Sequence, residues 1–228
     1  MTREGLSHRL ADLARDLRTP EDSSATMDLV CEAAKDWLGD HACVGISLIR
    51  RGEGVEAPSA TSDLVSRGDN LQYELSEGPC LDAAWREKQV YASDLTHEAR
   101  WPTWAPRMVE ELGTRSMLCT QLFTNENTLG ALNVYSPNVE AFDPDSREDI
   151  IALASHAAVA VSSAREIETL TIAVDRRTTI GKAIGMIMER FELSDDRAFD
   201  VLRRLSSHEN RKIYDIAAQL VPTRRLPG

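Results

Sequence analysis

Residues 176–221 read RRTTIGKAIGMIMERFELSDDRAFDVLRRLSSHENRKIYDIAAQLV, and their spacing predicts three consecutive helices. In the first, Ile180, Ala183, Ile184, Ile187, Met188 and Phe191 fall on one stripe, the repeat of an amphipathic helix. A break at Glu192 and Leu193 leads to Ser194, an expected N-cap, and then to Asp195 and Asp196, where negative charge suits the helix dipole. Ala198, Val201, Leu202 and Leu205 carry the stripe of the second helix. Asn210 is the expected cap of the third, which holds Ile213, Ile216, Ala217 and Leu220 and is expected to end at Pro222. So short a helix is marginal alone, and the three are expected to bury their stripes together as an all-α bundle.

Packing leaves some residues over. Gly181 and Gly185 stand inside a helix, where each costs about 1 kcal/mol relative to alanine. Their spacing puts them on one face, open to close approach by a neighbouring helix or a nucleic acid, and spacing favours neither. Basic residues come in pairs at Arg176 and Arg177, Arg203 and Arg204, and Arg211 and Lys212, with Lys182 beside the glycines. Arg211 and Lys212 are expected in the first turn of the third helix, against the dipole but suited to a phosphate there. Charged pairs are more often plain solvated faces.

The segment resembles the ANTAR family. Ile180, Gly181, Ala183, Gly185 and Met188 match its I-G-x-A-x-G-x-x-M core, Ala198, Phe199, Leu202 and Arg203 its A-F-x-x-L-R segment, and Asn210, Arg211 and Lys212 its N-[RK]-K. The resemblance implies a transcription antitermination regulator that recognises paired RNA hairpins. The RNA contacts it points to are Arg177, Lys182, Gly185, Arg203, Arg204, Asn210, Arg211 and Lys212. Hairpin loops offer unstacked bases and exposed phosphates to such a bundle. A DNA-binding reading is weaker, because the third helix is short and its later turns are apolar. A bundle serving only dimerisation or protein docking is the remaining alternative.

Upstream, Leu6, Leu10, Leu13 and Leu17 mark an amphipathic helix, and a second is expected from the Thr19-Pro20 start to Trp37, with Leu38 on its apolar side and Gly39 closing it. Strand-length runs follow: ACVGISLIR, QVYASDL, RSMLCTQLF and LGALNVYS. TNENT between the last two predicts a hairpin turn. A long helix is expected after Asp143-Pro144-Asp145, with Ile150, Leu153, Ala157, Ala160, Ala164 and Ile167 near a coiled-coil period, although its first part also fits a helix capping the sheet. The E-G-P-C turn at Glu77–Cys80, the R-W-P stretch and the L-G-x-L-N-x-Y strand resemble a GAF domain. The expected fold is therefore an α+β GAF-like sheet domain over 6–165, then a connecting helix and the three-helix bundle, with an RNA-binding domain over 166–222 and a frayed tail over 223–228. The GAF resemblance implies sensing or dimerisation, with a homodimer through the connecting helix and the GAF domain and a small-molecule signal as expected partners.

Charge divides the same way. Eleven basic and ten acidic residues follow position 165, a net of about +1, whereas the preceding part holds fifteen and twenty-seven, about −12. Cys31, Cys43, Cys80 and Cys119 are scattered, with no zinc-ligand spacing, so buried free thiols and no metal or evident cofactor are expected. No receiver-type aspartate cluster occurs. No uninterrupted apolar stretch approaches the roughly 20 residues of a membrane span, and the N-terminus lacks a secretory pattern, so a cytoplasmic protein that is not an enzyme is expected. A thiol-dependent methionine sulfoxide reductase using Cys80 and Cys119 is the enzymatic alternative.

Overall fold

The computed structural model describes residues 3–18, 20, 22–50, 54–85, 88–124 and 128–226. Thr19, the centre of the TNENT turn at 125–127 and the final residues 227–228 therefore lie outside the described residues. The chain divides into two compact units, 1–165 and 166–228.

In the first unit, helices α1 (Arg3–Asp16) and α2 (Ser23–Leu38) precede strands β1 (Cys43–Arg50) and β2 (Gly54–Ala60). Helices α3 (Asp63–Leu75) and α4 (Pro79–Trp85) follow, then β3 (Gln89–Ala92), α5 (Trp104–Leu112), β4 (Ser116–Phe123) and β5 (Thr128–Ser136). The strands form one antiparallel sheet ordered β2-β1-β5-β4-β3. Helix α2 starts three residues after Pro20 because the Asp22 carboxylate accepts a hydrogen bond from the Ala25 amide at 2.8 Å, a side-chain N-cap.

The sheet is the middle layer. Val44, Ile46, Leu48, Leu118, Leu132 and Val134 point to one side, against α1, α2 and the helix that follows β5. Val90, Met117, Cys119, Ala131 and Tyr135 point to the other, against α3, α4 and α5, as the period-two alternation of a strand requires. Trp101 and Trp104 are core residues there, stacked edge to face with centroids 5.7 Å apart. Strand β2 is absent from the sequence reading because GVEAPSA is poor in β-branched residues and contains Pro58. It is an edge strand whose register against β1 shifts between Ile46 and Leu48, and edges and bulges are where a strand tolerates proline.

Helix α6 (Pro144–Phe191) spans 48 residues. It opens where expected, with the Asp143 carboxylate accepting from the Ser146 amide at 2.7 Å. Ile150, Leu153 and Ala157 are buried in the sheet core, so the first half of the anticipated coiled-coil seam is occupied within the unit. From 166 to 178 every residue is exposed. Among the described residues α6 alone is long and apolar enough to cross a membrane, with a third of its most apolar window buried, and a core helix meets the same test.

Between α3 and α4 the E-G-P-C motif forms a structural turn. The Glu77 carboxylate accepts from the Thr103 and Trp104 amides at 2.8 and 3.1 Å, which fastens the turn to the start of α5. Gly78 has φ +142°, and a Cβ there would lie 2.2 Å from Gln72 Oε1, the atom that accepts from the Cys80 amide. Substitution Gly78→Ala is expected to cost at least about 1–3 kcal/mol through backbone strain and to displace Gln72, which urea denaturation against the parent protein measures.

Candidate nucleic-acid interface

In the second unit, the end of α6 packs against α7 (Asp195–Glu209) and α8 (Ile213–Thr223) through Ala183, Ile187, Ala198, Leu202, Ile216, Ala217 and Leu220. These are apolar positions that the helical period selects. Glu192 ends α6 in the left-handed conformation, φ 52°, and the Leu193 amide bonds back to the Met188 carbonyl at 3.2 Å. Ser194 stands at the N-cap of α7 without a side-chain cap bond.

Five local expectations change. Asn210 terminates α7 rather than starting α8: it is left-handed, φ 52°, with its amide on the Ser206 carbonyl, a conformation asparagine tolerates better than most residues. Arg211 and Lys212 consequently precede α8, and Lys212 is its N-cap. Pro222 lies inside the last turn of α8, which runs on to Thr223. Phe191, assigned to the buried stripe, is 48% exposed because it is the last residue of α6. Leu226, in the anticipated tail, packs against the bundle core.

Arg177, Lys182, Gly185, Arg203, Arg204, Asn210, Arg211 and Lys212 are all exposed. They fall in three places: Arg177, Lys182 and Gly185 on α6, Arg203 and Arg204 on α7, and the rest in the α7–α8 turn. Arg176 stacks its guanidinium over the Tyr214 ring at 5.5 Å, so the Arg177 end of this α6 segment neighbours the start of α8, beside Lys212. The cations differ in their commitments. Arg211 bonds Glu209 at 2.9 Å, Gln219 at 2.8 Å and the Asp215 carbonyl at 3.4 Å, clamping the turn onto α8. Arg203 pairs with Asp200 at 2.9 Å, an exposed bridge of the kind that contributes little. Arg177, Lys182, Arg204 and Lys212 make no ion pair or side-chain hydrogen bond among the described residues.

The glycines bear on one open alternative. A Cβ placed on Gly181 or Gly185 meets nothing within 4 Å, so among the described residues no neighbouring helix uses the bare backbone. Arg177, Gly181 and Gly185 follow each other at i, i+4, i+8 and share a row on α6. The result is an exposed strip of uncovered backbone with an uncommitted cation at its head and Lys182 alongside.

A second chemical centre is buried in the first unit. Asp69 of α3 is fully enclosed, with no cation beside it among the described residues. It accepts from Ser47 Oγ at 2.9 Å, Asn133 Nδ2 at 3.0 Å and the Tyr135 hydroxyl. Tyr73 donates to Ser47 at 2.6 Å, and the buried Asn133 Oδ1 has no partner among the described residues. Burial pushes the Asp69 carboxyl up to about 6 despite these hydrogen bonds. Burial, reinforced by the nearby Asp69, pushes the Cys80 thiol up to about 12, and burial also raises Cys119. Protonated, enclosed thiols are poor nucleophiles. No group of three or more His, Cys, Asp or Glu residues that could hold a metal occurs among the described residues.

Residues 20–162 match the family model of the GAF domain, and residues 168–221 that of the ANTAR domain. No curated protein matches the chain. Among solved structures, the GAF domain from Acinetobacter phosphoenolpyruvate-protein phosphotransferase is 13% identical with a TM-score of 0.56, covering 74% of this chain and 99% of that one. The GAF domain of the corresponding Coxiella burnetii protein is 17% identical with a TM-score of 0.56, covering 72% and 96%. Free methionine-R-sulfoxide reductase from Neisseria meningitidis is 15% identical with a TM-score of 0.53, covering 71% and 91%. At these identities the likeness shows the fold.

Two measurements test the buried centre. The Asp69 pKa is raised from 3.8 to about 6, so the folded state holds a proton that the unfolded chain releases. Its stabilising contribution is complete below about pH 4 and is lost as pH rises through about 6. Compared with Asp69→Asn, the parent protein is expected to lose Tm across that interval; parallel pH profiles would refute the assignment. A thiol reagent under native conditions is expected to modify half-buried Cys43 before Cys31, Cys80 and Cys119, which are buried, with mass spectrometry giving the order.

Proposed function

Since the chain belongs to the GAF domain family and closes in an ANTAR domain, the architecture of a regulator with a sensory domain, we propose that it binds paired RNA hairpins in nascent transcripts and thereby prevents transcription termination. The observation that carries this reading is the open backbone at Gly181 and Gly185 beside Arg177 and Lys182. Glycine inside a helix is unfavourable, and no packing within the chain uses the space it leaves. An RNA loop can bring phosphates and unstacked bases against such a strip. Arg204 and Lys212 extend the cationic set, Arg203 joins it by releasing a weak surface pair, and Asn210 and Arg211 hold the turn that presents Lys212.

We assign 6–165 to sensing and dimerisation and 166–222 to RNA binding, with Thr223, Arg224 and Leu226 of the anticipated tail continuing the bundle. The chain acts as a homodimer in the cytoplasm, one bundle per hairpin, with the controlling small-molecule signal entering through the GAF domain. Ile167, Leu170 and Val174 support the dimer: they are 64%, 58% and 62% exposed and spaced by three and four residues. The helix there is entirely exposed and rich in β-branched residues (Thr169, Thr171, Ile172, Val174), which are weak helix formers, so covering this stripe would stabilise it. The raised pKa values of the enclosed Cys80 and Cys119 favour a regulatory over a thiol-reductase role.

Full-length protein is expected to bind a two-hairpin RNA in preference to duplex DNA of equal length, with affinity falling log-linearly as salt rises. The double substitution Gly181→Ala and Gly185→Ala separates function from folding. Each alanine is expected to stabilise the helix by about 1 kcal/mol while weakening RNA binding. Filter binding and thermal melts of the same preparations read both, and unchanged affinity in the more stable variant would refute the RNA-facing assignment of this strip.

A further inference from the structure

At the C-terminal ends of α6 and α8 the bundle holds a half-open cavity of about 460 Å³, within the size range of small-ligand pockets. Buried Ile187 and Leu220 lie among its lining residues, with half-exposed Phe191 beside them. Arg190 and Arg224 also line it. The Arg190 guanidinium sits 5.8 Å from the centre of the Phe191 ring and donates to the Arg224 carbonyl at 3.0 Å. Arg224 itself is left-handed, φ 55°, at the end of α8. Glu189 is the one acidic residue lining the cavity among the described residues.

We propose that this cavity receives one unpaired, splayed-out base of the bound RNA. The proposal rests on the RNA reading above and adds a site outside the basic residues singled out by the sequence. An apolar floor with an exposed aromatic side chain matches the π-face of a base, and stacking of this kind tolerates any base. The two arginines offer guanidinium groups for the adjoining phosphates, and Arg on an aromatic ring adds a cation–π contact. Glu189 can accept a hydrogen bond from an exocyclic amino group, as acidic side chains do from cytosine. Lys182 and Arg190 are eight residues apart on α6, about 12 Å along the axis and about 80° around it. An RNA that reaches both the cavity and the strip at Gly181 and Gly185 therefore passes around α6 by way of Lys182. A protein side chain would be served by the apolar floor alone, whereas the paired arginines complement a polyanion.

The test uses full-length protein and a pool of two-hairpin RNAs with randomised loops, from which the tightest binder is taken. Each loop nucleotide of that RNA is replaced in turn by an abasic residue. One position is expected at which base removal weakens binding by about tenfold, the scale of a single base–aromatic stack, yet leaves the already weakened binding of Phe191→Ala unchanged. Phe191→Trp is expected to retain affinity and Arg224→Gln to lower it. Phe191→Leu serves as a second variant that keeps apolar volume without the ring, and thermal melts accompany each. Parent-like affinity in both Phe191→Ala and Phe191→Leu would overturn the proposal while leaving the RNA reading intact. So would a loss that is equal for every abasic RNA, or an effect confined to self-association of the protein, which would indicate a second copy as the occupant. If no RNA of the pool binds the parent protein, the RNA reading fails, and this inference with it.

Discussion

One helix has to satisfy two hydrophobic cores. Residues Ile150, Leu153 and Ala157 of α6 complete one side of the sheet core, and Ala183 and Ile187 supply the first wall of the bundle core. Between them lie thirteen consecutive exposed residues, 166–178, that belong to neither core. Helical stability in proteins comes chiefly from burying an apolar face, so this stretch depends on its two anchored ends and on whatever covers Ile167, Leu170 and Val174. Each core is complete within its own unit. The middle of the helix is where the design is least self-sufficient, and it is also where the charge balance of the sequence changes.

The sequence made the elements legible wherever a stripe had a single partner. The bundle core is the set of residues selected by helical periodicity, and the strands with β-branched or aromatic residues were all recognisable. What was hidden depended on tertiary context. Strand β2 has little intrinsic preference for extended structure and exists because β1 offers it a ladder. The seam in α6 reads as one pattern, but its first half faces the sheet and its second half is bare, because periodicity does not reveal which neighbour a face meets. Asn210 reads as a cap of either sign, and only the backbone conformation shows that it stops α7 instead of starting α8.

The candidate interface was legible as a set of residues but not as a ranking. Arg211 and Lys212 are adjacent and identical in charge, yet the first is tied to Glu209, Gln219 and the Asp215 carbonyl while the second is uncommitted. Such a difference arises from the geometry of the turn, which sequence spacing does not encode. Gly181 and Gly185 show the reverse case: the sequence flagged them as unexplained by packing, and the structure leaves their face open. Arg190, Phe191 and Arg224 escaped notice for a plainer reason. A phenylalanine in step with a buried stripe is ordinarily core, and only its place at the last residue of α6 brings it to the surface.

Pro58 in strand β2 has a consequence beyond its own ladder. A sheet edge that is long and regular is a template for another chain, and natural proteins interrupt it with proline, bulges or brevity. Here one edge carries Pro58 beside a register shift, and the opposite edge, β3, is only four residues long. Both margins are thus poor templates for strand addition. Copies of this protein at high local concentration are thereby steered away from continuous-sheet aggregates.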